Sequence, residues 1–239
     1  MKREIKRLSL HLKSPMYRFF KRFLDIIISF LALVILLPIF IPISIILKLT
    51  GEGEILYLQE RVGINNKNFK IFKFATMLKD SENLGTGIYT AKNDSRILPI
   101  GNFLRKTKIN ELPQIINILF GHISLVGPRP LIRRTFELYK KEDQLVISSI
   151  KPGLTGIGSI IFRNEEELLL EATVSNLEDF YEKNITPYKA ELEKWYEKNR
   201  SFKNDILIII LTAWIIFFKK SNLTFSIFKN LPKNSLQKQ

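Results

Sequence analysis

The chain has 239 residues, a quarter of them charged, with a formal net charge of +14, two histidines and no cysteine. The missing cysteines exclude disulfides and thiolate metal sites, and His11 and His122 are too few for a histidine-built zinc centre. The length suits one globular unit plus accessory segments, and the basic balance asks for an anionic partner: nucleic acid, a phospholipid surface or phosphorylated substrates.

Residues 1–22 form a basic arm, with Lys2, Arg3, Lys6, Arg7, Lys13, Arg18, Lys21 and Arg22 against Glu4. Phe23 to Leu47 is almost wholly apolar and long enough as a helix to cross a bilayer. It has large residues throughout and no small-residue cleavage site, so it is expected to stay attached. Basic residues stand before it and again after it, at Lys48, Arg61, Lys67, Lys70 and Lys73, so by the positive-inside rule both ends favour the cytoplasm. Pro38 and Pro42 each remove a backbone hydrogen bond near its middle. Two readings follow for residues 23–50: a re-entrant hairpin broken near Pro38, or a kinked transmembrane helix.

Residues 51–220 read as the globular body. ILYLQ and FKIFKF are predicted strands, and Gly63 to Asn68 between them is a hairpin turn. Lys70 and Lys73 lie either on a solvated strand face or against a substrate. Asp80 to Pro99 is a polar, mobile loop in which Asp94 either closes an Asx-turn or orients a basic residue or metal. From Phe103 to Pro130 the chemistry concentrates. Asn110 before Glu111-Leu112-Pro113 reads as a helix N-cap, with Leu112, Ile115, Ile116 and Leu119 as the buried face. Arg105, Lys106 and Lys108 bring a basic cluster to that turn, and Arg129, held between Pro128 and Pro130, is presented as an arginine is to a phosphate. Leu131 to Lys141 is a predicted helix, and Lys151 to Gly156 a tight turn whose amides can face an anion. Arg163 can form a surface pair with Glu166 or Glu167. Glu178 to Arg200 is a predicted helix pair split at Pro187. Ile206 to Phe218 is too short to span and suits an interfacial helix or a core helix. Residues 221–239 are a polar tail. No internal repeat, Walker loop or Rossmann fingerprint is present.

Leu104, Arg105, Glu111-Leu112-Pro113-Gln114, Asn117, Leu119, Gly121, Ser124 and Val126-Gly127-Pro128-Arg129-Pro130 resemble the signature of the bacterial sugar transferases, the monotopic phosphoglycosyl transferases. Gln59, Arg61, Gly63, Phe69, Lys70, Lys73, Phe74, Thr76 and Met77 are similar to a second family element, with Ala75 where a base is usual. Asn93-Asp94-Ser95-Arg96 and Lys151-Pro152-Gly153-Leu154-Thr155 match two more. The resemblance implies an α/β, mostly helical fold: a membrane-anchored monotopic domain with an N-terminal re-entrant helix-break-helix, a short β-hairpin and interfacial amphipathic helices. It implies transfer of a phosphosugar from a UDP-sugar to polyprenyl (undecaprenyl) phosphate, with release of UMP, initiating a surface glycan. It places the enzyme in the bacterial inner membrane with its catalytic domain on the cytoplasmic face.

The implied substrate-phosphate contacts are Arg105, Arg129, Lys151, Arg163 and Lys73. Mg2+ is implied as cofactor, with Glu111 and Asn110 as its ligands, and Pro38 is the implied membrane break, although the family usually has a serine where Leu37 stands. Implied partners are the two substrates, membrane lipids and downstream glycosyltransferases. Nucleic acid is not among them, because the membrane segment accounts for the charge. One departure bears on catalysis. The family's nucleophilic aspartate is Asn110 here, so either Glu111 takes over, or transfer is direct, or the chain is an impaired membrane scaffold of the same pathway.

Overall fold

The structure, a computed structural model, describes residues 14–83, 94–165, 177–218 and 223–233. The chain divides into two compact units, residues 1–25, 61–69 and 121–239 in the first and residues 26–60 and 70–120 in the second. Helices dominate, accompanied by two two-stranded sheets.

Helix α1 (Pro15–Leu49) runs through both stretches of its sequence without interruption. Ser14 Oγ accepts the Tyr17 N–H, and Pro15 fills the first turn, where its missing donor costs nothing. Gly51, in the left-handed region at φ 70°, stops the helix at its other end. Its most apolar stretch is 11% buried, which excludes a core helix. Phe23, Phe30, Leu31, Val34 and Ile35 all stand exposed. The expected helix-break-helix is absent as two separate helices: Pro38 and Pro42 both lie inside α1. The two missing donors fall one turn apart on one side, so a helix can bend around them and keep its α-helical course.

In the second unit, the last turns of α1 contribute Ile43 and Leu47 to a small core with Phe74, Leu98 and Leu104. Strands β1 (Leu56–Val62) and β2 (Asn68–Phe74) form the expected hairpin, of which residues 56–60 and 70–74 belong to this unit. The edge of β2 is closed by a side chain: Asn117 Oδ1 accepts the Phe72 N–H at 2.8 Å, and its Nδ2 donates to the Lys70 carbonyl at 2.8 Å. The carboxamide thus pairs with a strand as a peptide unit would. Asn117 lies on α3 (Gln114–Phe120), whose buried side chains are Gln114, Ile115, Asn117 and Ile118. The expected face of Leu112, Ile115, Ile116 and Leu119 is therefore rotated, because the polar clamp takes the inner position. Helix α2 (Pro99–Lys106) starts with Pro99 in its first turn. Before it, Asp94 does both things anticipated for it short of holding a metal. Its Oδ1 accepts the Arg96 N–H at 3.0 Å and Nε at 2.8 Å, while Arg96 Nη1 reaches the Ser81 carbonyl at 2.6 Å. The loop expected over residues 80–99 includes 84–93, which lie outside the described residues.

In the first unit, Asn65 and Asn66 adopt positive φ at the hairpin tip, and the Gly63 N–H closes the turn on Lys67. Strands β3 (Ser124–Val126) and β4 (Gly153–Thr155) pair in parallel, Ser124 opposite Gly153 and Val126 opposite Thr155. Parallel pairing demands a crossover. Here α4 (Arg133–Glu137) and α5 (Lys141–Ser148) supply it, where the sequence suggested one helix over 131–141. Then follow α6 (Ile157–Ile161), α7 (Leu177–Phe180), a π-helical stretch Tyr181–Ile185, α8 (Thr186–Asn199), α9 (Phe202–Phe217) and α10 (Leu223–Ile227). The break expected at Pro187 is instead the π stretch just before it. Pro187 sits in the first turn of α8, where no intrahelical donor is lost. The core gathers Ile157, Tyr188, Leu192, Tyr196, Ile208 and Leu211. Helix α9 is a core helix along one face and exposed along the other. Ile208, Leu211 and Ile215 are buried, whereas Ile210, Trp214 and Ile216 are exposed apolar groups.

Candidate active site

The residues singled out by sequence fall into two sets. Asn110, Glu111, Lys73 and Arg105 belong to the second unit, and Arg129, Lys151 and Arg163 to the first.

In the second unit, Lys108 takes a left-handed conformation (φ 59°) that swings the chain from α2 into a single 3-10 turn, Ile109–Glu111. Asn110 sits inside that turn rather than capping α3, so the N-cap reading is overturned. Its side chain is buried, and Oδ1 has no hydrogen-bond partner among the described residues. A buried acceptor left without a donor costs about 1–3 kcal/mol, which folds tolerate mainly where a ligand or reaction uses the atom. Beside it, Glu111 Oε1 lies 3.6 Å from Lys73 Nζ on β2, with both side chains largely shielded. Lys73 is thereby brought to the carboxylate. Arg105 on α2 places Nη1 3.6 Å from the Met77 sulfur. No group of three or more acidic, histidine or cysteine side chains suited to a metal occurs among the described residues. One carboxylate and one donorless amide oxygen still fit magnesium of the kind that arrives with a diphosphate and retains several waters.

In the first unit, the turn bearing Arg129 is held on every side by backbone. A Cβ on Gly127 would strike the Lys151 carbonyl, and one on Gly156 would strike the Gly127 carbonyl, so these glycines permit backbone to lie on backbone. The Gly153 N–H donates to the Pro128 carbonyl at 2.8 Å. The Gly153 amide is therefore occupied and not open to an anion. Arg61 Nη1 donates to the Pro130 carbonyl at 3.0 Å and the Val62 N–H to that of Leu131 at 2.8 Å, tying the turn to the hairpin tip. The Arg129 side chain is exposed. Its charge acts on Glu165 and Lys189, whose own contact is 2.6 Å. Burial pushes the Glu165 carboxyl up, but Lys189, Tyr181 and Arg129 outweigh it and hold the group below its ordinary value. Neighbouring Glu193 has less support: burial pushes it up to about 8 against the opposing charge of Lys189, and its Oε2 has no hydrogen-bond partner among the described residues. Arg163 donates from Nη1 to the Ile215 carbonyl at 2.9 Å, near the end of α9, where a cation meets the negative pole of the helix. Glu166 and Glu167, its alternative partners, lie outside the described residues.

Sequence reasoning missed the base of α1. Asp25 is 3% exposed and accepts from Ser124 Oγ at 3.0 Å and the Leu125 N–H at 2.9 Å. One turn earlier, Lys21 Nζ donates to the Val126 carbonyl at 2.9 Å and to Asp205 Oδ2 at 2.7 Å. Tyr17 and Tyr196 hydroxyls complete the ring around Asp205, at 2.8 and 2.7 Å. The helix is thus bolted to β3, the strand that leads into Gly127-Pro128-Arg129. The available signal was a lone acid in an apolar run, which marks a partnered or functional group.

A profile described as "Bacterial sugar transferase" matches residues 16–219. The chain is 32% identical over 203 residues to the UDP-N-acetylgalactosamine-undecaprenyl-phosphate N-acetylgalactosaminephosphotransferase of Aeromonas hydrophila, covering 84% of this chain and 44% of that protein. It is 36% identical over 205 residues to the UDP-glucose:undecaprenyl-phosphate glucose-1-phosphate transferase of Klebsiella pneumoniae, covering 84% and 41%. It is 31% identical over 214 residues to the undecaprenyl-phosphate galactose phosphotransferase of Salmonella typhimurium, covering 83% and 40%. The chain spans less than half the length of these relatives, and their names carry three different sugars. With the profile covering most of its length, the chain belongs to the bacterial sugar transferase family.

Proposed function

We propose that the chain is a phosphoglycosyl transferase that moves a phosphosugar from a UDP-sugar to polyprenyl phosphate and releases UMP, as the first membrane step of a surface glycan. The observation that carries this reading is the turn Ile109–Glu111. It holds a shielded carboxylate paired with Lys73 beside a buried oxygen that has no donor, at the position where the family signature places its reacting residue.

In this reading Glu111 is the nucleophile. Its carboxylate oxygen attacks the phosphorus bearing the sugar, the bond to the UMP oxygen breaks, and a phosphosugar–glutamyl ester forms. The phosphate oxygen of the polyprenyl acceptor then attacks that phosphorus and frees Glu111. Lys73, 3.6 Å away, pairs with the Glu111 carboxylate and would steady charge during attack, and Arg105, Arg129, Lys151 and Arg163 are the proposed phosphate contacts. Magnesium bound by Glu111 and Asn110 would neutralise the diphosphate. An amide at position 110 supports a second reading, a catalytically impaired membrane scaffold of the same pathway.

The exposed apolar length of α1 supports membrane insertion. From Ile26 to Leu49 it is roughly 36 Å long at 1.5 Å per residue, comparable to a hydrocarbon core of about 30 Å. Basic residues at both ends and the prolines at 38 and 42 support entry and return by the cytoplasmic face. The exposed apolar face of α9 would lie at the same interface. The test is UMP release from a panel of UDP-sugars by the purified chain in membranes, with and without polyprenyl phosphate. Acceptor-dependent release with any sugar supports the transferase. Release with none, in preparations that still bind polyprenyl phosphate, leaves the scaffold.

A further inference from the structure

Lys151 begins the segment that leads into β4 and is half-buried, yet among the described residues it makes no hydrogen bond or ion pair. It faces the base of α1, where Lys21, Arg22 and Asp25 all act on it electrostatically. Burial first, and then the charge of Arg22, draw its pKa below the ordinary lysine value. Lys21 pairs with Asp205, Asp25 accepts from Ser124 and Leu125, and Arg22 has contacts of its own. The Arg22 guanidinium lies over Gly121, where an added Cβ would stand 3.3 Å from it, so a bare backbone makes room for that cation. Two cations therefore lie close enough to repel each other, and the one acid that acts on Lys151, Asp25, is already taken by Ser124 and Leu125. Along α1 exposed apolar residues stand on both sides of Arg22, Phe19 and Phe20 before it and Phe23 after it, and Ile26 and Phe30 continue Arg22's side of the helix into the long apolar run.

Cations at the water end of an exposed apolar helix suit a ligand with the same polarity, an anionic head on a long hydrocarbon tail. A nucleotide sugar is polar at both ends and gains nothing from that surface. We propose that Arg22 and Lys151 form the subsite for the phosphate monoester of an isoprenoid lipid, the acceptor of the reaction, with the chain running along α1. The assignment rests on the transferase reading and gives its second substrate a place.

The test uses the full chain in phosphatidylcholine nanodiscs and reads both binding of a fluorescent polyprenyl monophosphate and the acceptor KM for UMP release. Arg22→Gln and Lys151→Gln should each weaken binding and raise the acceptor KM by about tenfold or more, as loss of a charged hydrogen bond does, with the UDP-sugar KM unchanged. Lys229→Gln, which removes an exposed lysine elsewhere, should change neither. Lys151→Gln should melt no lower than the parent, because it removes a cation that burial and Arg22 disfavour; a lower Tm would make Lys151 structural and overturn the subsite. Equal competition by inorganic phosphate would mean a simple anion site, equal competition by phosphatidylglycerol a general lipid-anion patch, and either result overturns the proposal. If both variants lose the probe while no UDP-sugar yields UMP, the subsite stands and the transferase reading fails. Normal turnover with an unchanged acceptor KM in both variants sinks the subsite alone.

Discussion

Replacing Asn110 by aspartate asks the protein to accept a carboxylate in the 3-10 turn where an amide oxygen now lies buried without a donor. Ionising that group in the absence of ligand adds desolvation to an acceptor that already costs about 1–3 kcal/mol. Lys73 gives limited relief, because its ammonium is 3.6 Å from Glu111 and a second carboxylate would have to share it. Asn110→Asp should therefore lower the stability of the ligand-free protein by about 2 kcal/mol, or about 4–8 °C in Tm at this chain length. The sign of the pH dependence follows. Burial raises the introduced acid above its unfolded value, so its penalty is absent below about pH 4 and grows as pH rises through the folded pKa. The melting gap between variant and parent should widen accordingly. Magnesium with UDP-sugar should close it, since the ligand neutralises the charge, and UMP release should rise. Differential scanning calorimetry from pH 4 to 8 and a UMP-release assay on the same preparations measure both. A variant that melts with the parent at every pH and gains no activity would show that position 110 is not where charge is received. Within the same series, Glu111→Gln should abolish transfer, and a phosphosugar adduct should be trapped on Glu111 of the parent chain.

Three other outcomes are expected. Arg129→Lys keeps the charge but loses the bidentate fork, so kcat/KM should drop by at least about tenfold; unchanged kinetics would make Arg129 structural. Glu193, pushed up to about 8 by burial, holds a proton in the folded protein that the unfolded chain has released, so it erodes stability progressively from about pH 4.5 to about pH 8. Glu193→Gln should remove that slope and stabilise the protein above pH 8 by as much as about 5 kcal/mol, whereas parallel stability curves would refute the assignment. For topology, cysteines at Lys13 and Asn65 should both be shielded from an impermeant thiol reagent in intact cells if α1 returns to the cytoplasm. Labelling at Lys13 alone would establish a spanning helix.

What could be read from sequence was carried by neighbours along the chain. The apolar run of α1 and the hairpin closed at Gly63 to Lys67 depend on composition and turn chemistry within a few residues, so the local sequence was enough for them. The signature stretch marked Glu111 and Arg129 for the same reason. One error was local, and what was missed elsewhere had a partner far away in sequence. Asn110 looked like a cap because Asn before Glu usually is one, but the left-handed Lys108 had already turned the chain into a 3-10 turn. Asn117 stood in the sequence only as a match to the family signature, yet it completes the edge of a strand 45 residues earlier. Asp25 hydrogen-bonds across 99 residues to Ser124, and Tyr17 across 188 to Asp205. A side chain's local pattern states what it can donate, accept or bury, and that alone determined the elements and the chemical inventory here. Which buried group meets which partner, and therefore which oxygen is left without a donor and which lysine without an anion, depends on long-range packing that desolvates both members at once. Only the tertiary structure decided that.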